Sequence, residues 1–264
     1  MLSNLFLKTL RDQMKAVLGW GLGLAALALL TILFYPSVQS LGDQFEQPLK
    51  QMPELAGFLG DVESLTTIEG YVTSQILSYM PVVLAIYATL AGTSMITGEI
   101  EGGTMDLIMA HPISRWQVVL QKYAALVVSI IVICLLFGLG MVIAGLAIGA
   151  DVTMVTWLLA ALNVVPITVF YASIAFVLSC FLRGRGIPIG VTIGLVIAGF
   201  ILSGLAPMVA ELEPYREFTI YYLFTAGKPF STGLVPLHLV ILVIGSLLLF
   251  AASLFAFERR DITR

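Results

Sequence analysis

The sequence predicts an all-α membrane protein with six transmembrane helices. Three observations lead there. Hydrophobic residues make up 59% of the chain against 11% charged, and the mean hydropathy is +1.02. A soluble domain carries roughly 25% charged residues, so too few remain here to cover a water-facing surface. Lipid is the alternative solvent, because apolar side chains need no polar cover in it. The charges also leave six uncharged windows, at 16–42, 70–98, 123–150, 152–182, 186–210 and 229–257. Each can supply the roughly 20 apolar residues that cross a hydrocarbon core. A charge at mid-bilayer costs about 2.5–3.5 kcal/mol on insertion scales, which explains why they lie outside. Finally, Lys and Arg fall on alternate sides. Lys8, Arg11, Lys15, Arg115, Lys122, Arg183, Arg185, Arg259, Arg260 and Arg264 group with the N-terminus, and only Lys50, Arg216 and Lys228 lie opposite. That bias places both termini in the cytoplasm and requires an even number of crossings.

The chain therefore divides into one transmembrane domain over 1–264. Residues 1–15 predict an amphipathic interfacial helix. Lys8, Arg11, Asp12 and Lys15 share one face, and Leu2, Phe6, Leu10 and Met14 the other. A solvated start to the first span fits nearly as well. That span, near 16–36, exceeds the roughly 7–15 apolar residues of a signal peptide and reads as retained. The acidic extracytoplasmic segment 37–69 is long for a connection. Phe45, Leu49, Met52 and Ala56 recur in it at helical spacing, with Pro48 and Pro53 as breaks, which predicts one or two short amphipathic helices on the outer surface. Further spans are predicted near 71–97, 118–149, 154–182, 186–208 and 236–257.

In the second extracytoplasmic segment, 209–235, the apolar run Phe218-Thr-Ile-Tyr-Tyr-Leu-Phe224 is too short to span. It either re-enters the membrane behind a protein shield or rests at the interface with Tyr215, Tyr221 and Tyr222 at headgroup depth. The fifth span carries Gly186, Gly190 and Gly194 at four-residue spacing, a pattern that lets helix backbones approach closely. It predicts packing either at an interface between two membrane subunits or within one chain. Asn163, followed by Pro166, is a candidate to line a pathway through the fourth span, because proline frees a carbonyl. Cys134 and Cys180 sit inside apolar runs and read as small buried hydrophobes.

Chemical motifs are scarce. No G-x-x-x-x-G-K-[ST] phosphate loop, H-E-x-x-H or G-x-S-x-G occurs, so no ATPase or hydrolase activity is expected of this chain. No cofactor or metal is expected on it either. His111 and His238 lack metal-ligand spacing, and no basic patch suits nucleic acid. A proton-coupled carrier usually needs charged residues inside its spans.

The loop 98–115 is the most structured connection. Gly102 and Gly103 allow a turn. Thr104 is placed to cap a short helix with Met105, Ile108 and Met109 on one face. Pro112 ends that helix, and Ser114 with Gln117 forms a capping box for the next. The apolar face would rest on the membrane or the bundle, leaving a polar edge toward the cytoplasm.

Glu101-Gly-Gly-Thr-Met-Asp-Leu-Ile-Met-Ala-His-Pro-Ile-Ser-Arg115, with Lys122 following, resembles the signature of the type-2 ABC transporter permeases. The ending Phe257-Glu-Arg-Arg-Asp-Ile262 looks like that family's closing Arg-Arg-Asp, and Phe34-Tyr-Pro36 like a bacterial branch of it. Ile108-Met-Ala-His111 departs from the family, where Leu-Leu and a small polar residue are commoner. The resemblance covers nearly the whole chain.

It implies a permease subunit in the plasma membrane of a bacterium, paired with a second permease and with a separate nucleotide-binding ATPase subunit that holds ATP and Mg. It makes 98–115 the coupling loop, with Glu99, Glu101, Gly103, Thr104, Asp106, Pro112 and Arg115 as ATPase-coupling residues. An apolar pathway suits export of an amphipathic or hydrophobic compound. An ion-gradient-driven secondary carrier, a membrane-embedded enzyme and a non-transporting anchor for an ATPase are the other readings.

Overall fold

The structure is a computed structural model that describes residues 2–40, 67–110, 113–206, 209–228, 230 and 232–260. The helices predicted in the first extracytoplasmic segment lie outside these residues, as do His111, Pro112, Asp261, Ile262 and Arg264. Among the described residues, six helical stretches are long and apolar enough to cross a membrane, as expected.

Helix α1 (Leu2–Leu33) joins the predicted N-terminal helix to the first span without a break. Lys8, Arg11, Asp12 and Lys15 are exposed along it, while Leu5, Thr9 and Val17 turn toward the bundle. The second span, α2 (Ile68–Glu101), is irregular. It widens into π-turns at Thr73–Leu77 and Ser94–Gly98, on either side of the regular stretch Met80–Thr93. Short α3 (Thr104–Met109) follows, then α4 (Arg115–Ala147), the third span. The fourth span is broken into α5 (Met154–Leu162) and α6 (Val165–Phe181). The break falls at Asn163–Val164, where Pro166 in the first turn of α6 has no N–H to carry the helix backward. Next come α7 (Gly186–Leu205), the short helices α8 (Glu213–Arg216) and α9 (Tyr222–Thr225), and α10 (Pro236–Arg259).

Spans two to four form the centre. Trp157, Tyr171, Phe137 and Phe176 are wholly buried there. Close backbone approach needs small residues. Gly140 of α4 lies against Ala25 of α1, where a Cβ would come within 2.6 Å of the Ala25 backbone, and Gly145 lies under the Trp157 ring. Helices α1, α7 and α10 are peripheral. Leu22, Leu30, Ile187, Ile201, Ile244 and Leu248 stand exposed on them, a surface that lipid tolerates and water does not.

The described part of the segment after α7 holds two short helices that dock on the bundle. Helices α8 and α9 are joined by a turn that seats Tyr221 and Phe224 inside the protein, and Phe230 packs edge-on to Trp157 at 5.0 Å. The Tyr221 hydroxyl donates to the Ser78 carbonyl, at the point where α2 leaves its first π-turn. Of the three tyrosines expected at headgroup depth, Tyr221 is thus engaged by protein, and Tyr215 stands exposed. Gly199 of α7 makes room for the Tyr221 side chain.

Candidate functional site: the loop between spans two and three and the helix ends around it

The loop is built from its glycines outward. Gly102 donates from its N–H to the Gly98 carbonyl at 3.0 Å and closes α2. Gly103 has φ +71, a left-handed conformation that costs a residue with a Cβ and suits glycine. That reversal makes Gly103, not Thr104, the residue that precedes α3. The expectation that Thr104 caps α3 is therefore corrected. Its hydroxyl donates backward, to the Glu99 carbonyl at 3.2 Å, and so serves the end of α2.

Helix α3 has two faces. Met105 and Ile108 are buried in the bundle core, so the apolar face rests on protein. Thr104, Asp106 and Leu107 point outward, Leu107 with 68% of its surface exposed. The box that starts α4 is formed, with Gln117 Oε1 accepting the Ser114 N–H at 3.2 Å.

Charged side chains tie this loop to the rest of the molecule. Glu99 Oε2 lies 2.6 Å from Lys122 Nζ, and Lys122 is fully buried. A buried charge needs a partner at this range, because water no longer solvates it. Glu101 Oε2 lies 2.8 Å from Arg185 Nε, and Arg185 also donates to the Gly98 carbonyl at 3.3 Å. Arg115, at the start of α4, donates from Nη1 to three carbonyls at the end of α10. These are Phe257 at 3.4 Å, Glu258 at 3.1 Å and Arg260 at 2.7 Å. Arg260 reaches in turn to the end of α6, donating to the carbonyls of Ser179, Cys180 (3.3 Å) and Leu182 (2.9 Å).

One physical rule explains the contacts of these arginines with carbonyls. The last four carbonyls of a helix have no partner within it and carry the negative end of its dipole. A guanidinium supplies both donors and charge there. The result is a closed circuit at one end of the bundle. It passes from α2 through α3 to α4, by Arg115 to α10, by Arg260 to α6, and by Arg185 back to α2. The start of α1 lies at this end too, since the Phe6 N–H donates to Gln121 of α4 at 3.1 Å.

The seven residues expected to couple are thus divided. Glu99 and Arg115 turn inward and hold the protein's own elements, Glu101 is paired, and Gly103 and Thr104 shape the turn. Asp106 is exposed, with no ion pair among the described residues. Pro112 lies outside the described residues. Sequence reasoning missed Arg185 and Arg260 as functional residues, and it had Lys122 only as part of a signature. A cation within a turn of a helix end was the available signal.

Gly186, Gly190 and Gly194 run along the outer face of the first half of α7, with nothing among the described residues within 4 Å of a Cβ at any of them. The opposite stripe, Pro188, Thr192, Val196 and Ser203, is the buried one. The glycine ridge packs against none of the described residues. A similar open groove of about 420 Å³ lies beside Gly19, Trp20 and Gly23 of α1. At the far end of the bundle, a cavity of about 440 Å³ is lined by Thr73, Ser74, Ser78, Glu69 and Lys228. Among the described residues, no three His, Cys, Asp or Glu gather to hold a metal.

A family model described as "ABC-2 family transporter protein" matches residues 3–262. An uncharacterized protein of Bacillus subtilis (strain 168), YhcI, is 21% identical over 223 residues, covering 74% of this chain and 69% of the relative.

Proposed function

The chain belongs to the ABC-2 family of transporter proteins, a membrane permease component without an ATPase of its own, and we propose that it exports an amphipathic or hydrophobic compound with energy from ATP hydrolysed, with Mg, on its separate ATPase partner. One observation carries this reading. The outward edge of α3 is the exposed end of a rigid assembly rather than of a flexible loop. Met105 and Ile108 hold α3 to the core, the Thr104 hydroxyl ties its start to Glu99 of α2, and the arginine circuit joins the ends of α2, α4, α6 and α10 beside it. A push on Thr104, Asp106 and Leu107 would pass to four spans together, the kind of rigid-body coupling that alternating access needs.

In this reading both termini are cytoplasmic, as the Lys and Arg bias indicates. Asp106 and Leu107 meet the ATPase, while Glu99, Glu101 and Arg115 transmit the motion. The open glycine ridge of α7 supports a second permease subunit, because a backbone exposed along small residues suits a helix partner.

Co-purification tests the reading. Its ATPase partner should be retained in mild detergent, and D106K/L107D should release it without lowering the permease's own melting point. Efflux from proteoliposomes should stop when the partner's phosphate-loop lysine is replaced, and should survive collapse of ion gradients. Efflux driven by an ion gradient in the absence of the ATPase would establish the carrier reading instead.

A further inference from the structure

A second feature at the arginine-capped end stands apart from the coupling loop. Between the ends of α6 and α10 lies a cleft of about 180 Å³, lined by Cys180, Phe181, Phe255, Ala256, Arg259 and Arg260. Its rim is formed by Phe181 and Phe255, each more than half exposed. The Arg259 guanidinium sits over the Phe255 ring, 3.9 Å from its centre. Arg183, just past α6, is also exposed. Arg259 and Arg260 both line the cleft, and Arg260 donates to the carbonyl of Leu182, the residue next to Arg183, so the three cations share one neighbourhood.

Their roles differ. Arg260 is committed to the carbonyls that end α6. Arg183 and Arg259 have no hydrogen bond or ion pair among the described residues. Two uncommitted guanidinium groups beside exposed aromatic rings, on a cleft between two spans, form an amphipathic site that is basic at its head and apolar below. Free anions in water have no use for the rings, whereas a phospholipid matches both halves. Basic pockets between spans on the cytoplasmic side recognise anionic headgroups in this way. We propose that the cleft between α6 and α10 binds the headgroup of an anionic phospholipid, with Arg183 and Arg259 on its phosphate and Phe181 and Phe255 against its chains.

Native mass spectrometry of the purified chain tests this. The wild type should retain phosphatidylglycerol over phosphatidylcholine of the same chain length by about tenfold, and R183Q/R259Q should lose that preference. R11Q/K15Q removes the same charge from the same end of the bundle and should keep the preference. Added glycerol phosphate should not displace the lipid. Equal retention of the two lipids by the wild type overturns the proposal, and that comparison needs no variant. A preference unchanged in R183Q/R259Q, lost equally in R11Q/K15Q, or abolished by glycerol phosphate overturns it too.

Discussion

Arg115 donates to the backbone carbonyl of Arg260 at 2.7 Å, and Arg260 passes its own side chain on to the carbonyls that end α6. Two arginines far apart in the chain thus join the start of the third span, the end of the sixth and the end of the fourth. Neither is exposed in the way a docking residue would be.

This relay makes Arg260 a structural keystone. R260Q should destabilise the protein by about 2 kcal/mol, the usual worth of hydrogen bonds to a charged group. R260K should recover only part of that, since an ammonium cannot reproduce the planar fork. Thermal unfolding in detergent measures both. Equal melting points for R260Q and wild type would show that the carbonyls at the end of α6 need no cap.

The Glu99–Lys122 pair is expected to behave as a buried pair does. E99Q or K122M alone leaves one charge without its partner in a poor solvent and should cost about 3–5 kcal/mol. The double variant E99Q/K122M should recover most of the loss. A double variant as unstable as the sum of the singles would mean that the two side chains do not interact.

Glycines on the two sides of the bundle should respond in opposite ways. G140L drives a side chain into the Ala25 backbone and should lower the melting point sharply or prevent folding. G190L meets empty space, so it should leave the melting point unchanged while weakening self-association of the permease. Light scattering in detergent and thermal unfolding, read together, separate the two effects. Cysteine placed at Ile197 or Ile201, on the same open face as the glycines, should crosslink between two copies.

Tyr221 offers a test at the other end of the bundle. Y221F removes the hydroxyl that satisfies the Ser78 carbonyl beside the π-turn, and should cost about 1 kcal/mol. Amide hydrogen exchange should rise first over Thr73–Leu77, where the helix is least regular. Unchanged protection there would show that the π-turn stands without the tyrosine.

Much of the fold was legible along the chain because hydropathy and capping are local. Runs without charge mark spans wherever the rest of the protein lies. Ser114 and Gln117 predict their own helix start, and Met105 with Ile108 declares an apolar face by spacing alone, though only the bundle shows that it rests on protein. The same locality failed at Thr104. Its residue type suits a cap, but the left-handed turn at Gly103 moved it one place into the helix and turned its hydroxyl back to α2.

What the amino acids determined by themselves was the solvent, the number of crossings and the end of the bundle where cations gather. All three follow from the free energy of moving side chains and peptide groups into hydrocarbon. Only the tertiary structure decided what those cations hold. Whether Arg115 or Glu99 faces a partner protein or the chain's own helix ends depends on which carbonyls and charges the closing bundle brings within about 3 Å. That distance is set by packing across the whole molecule.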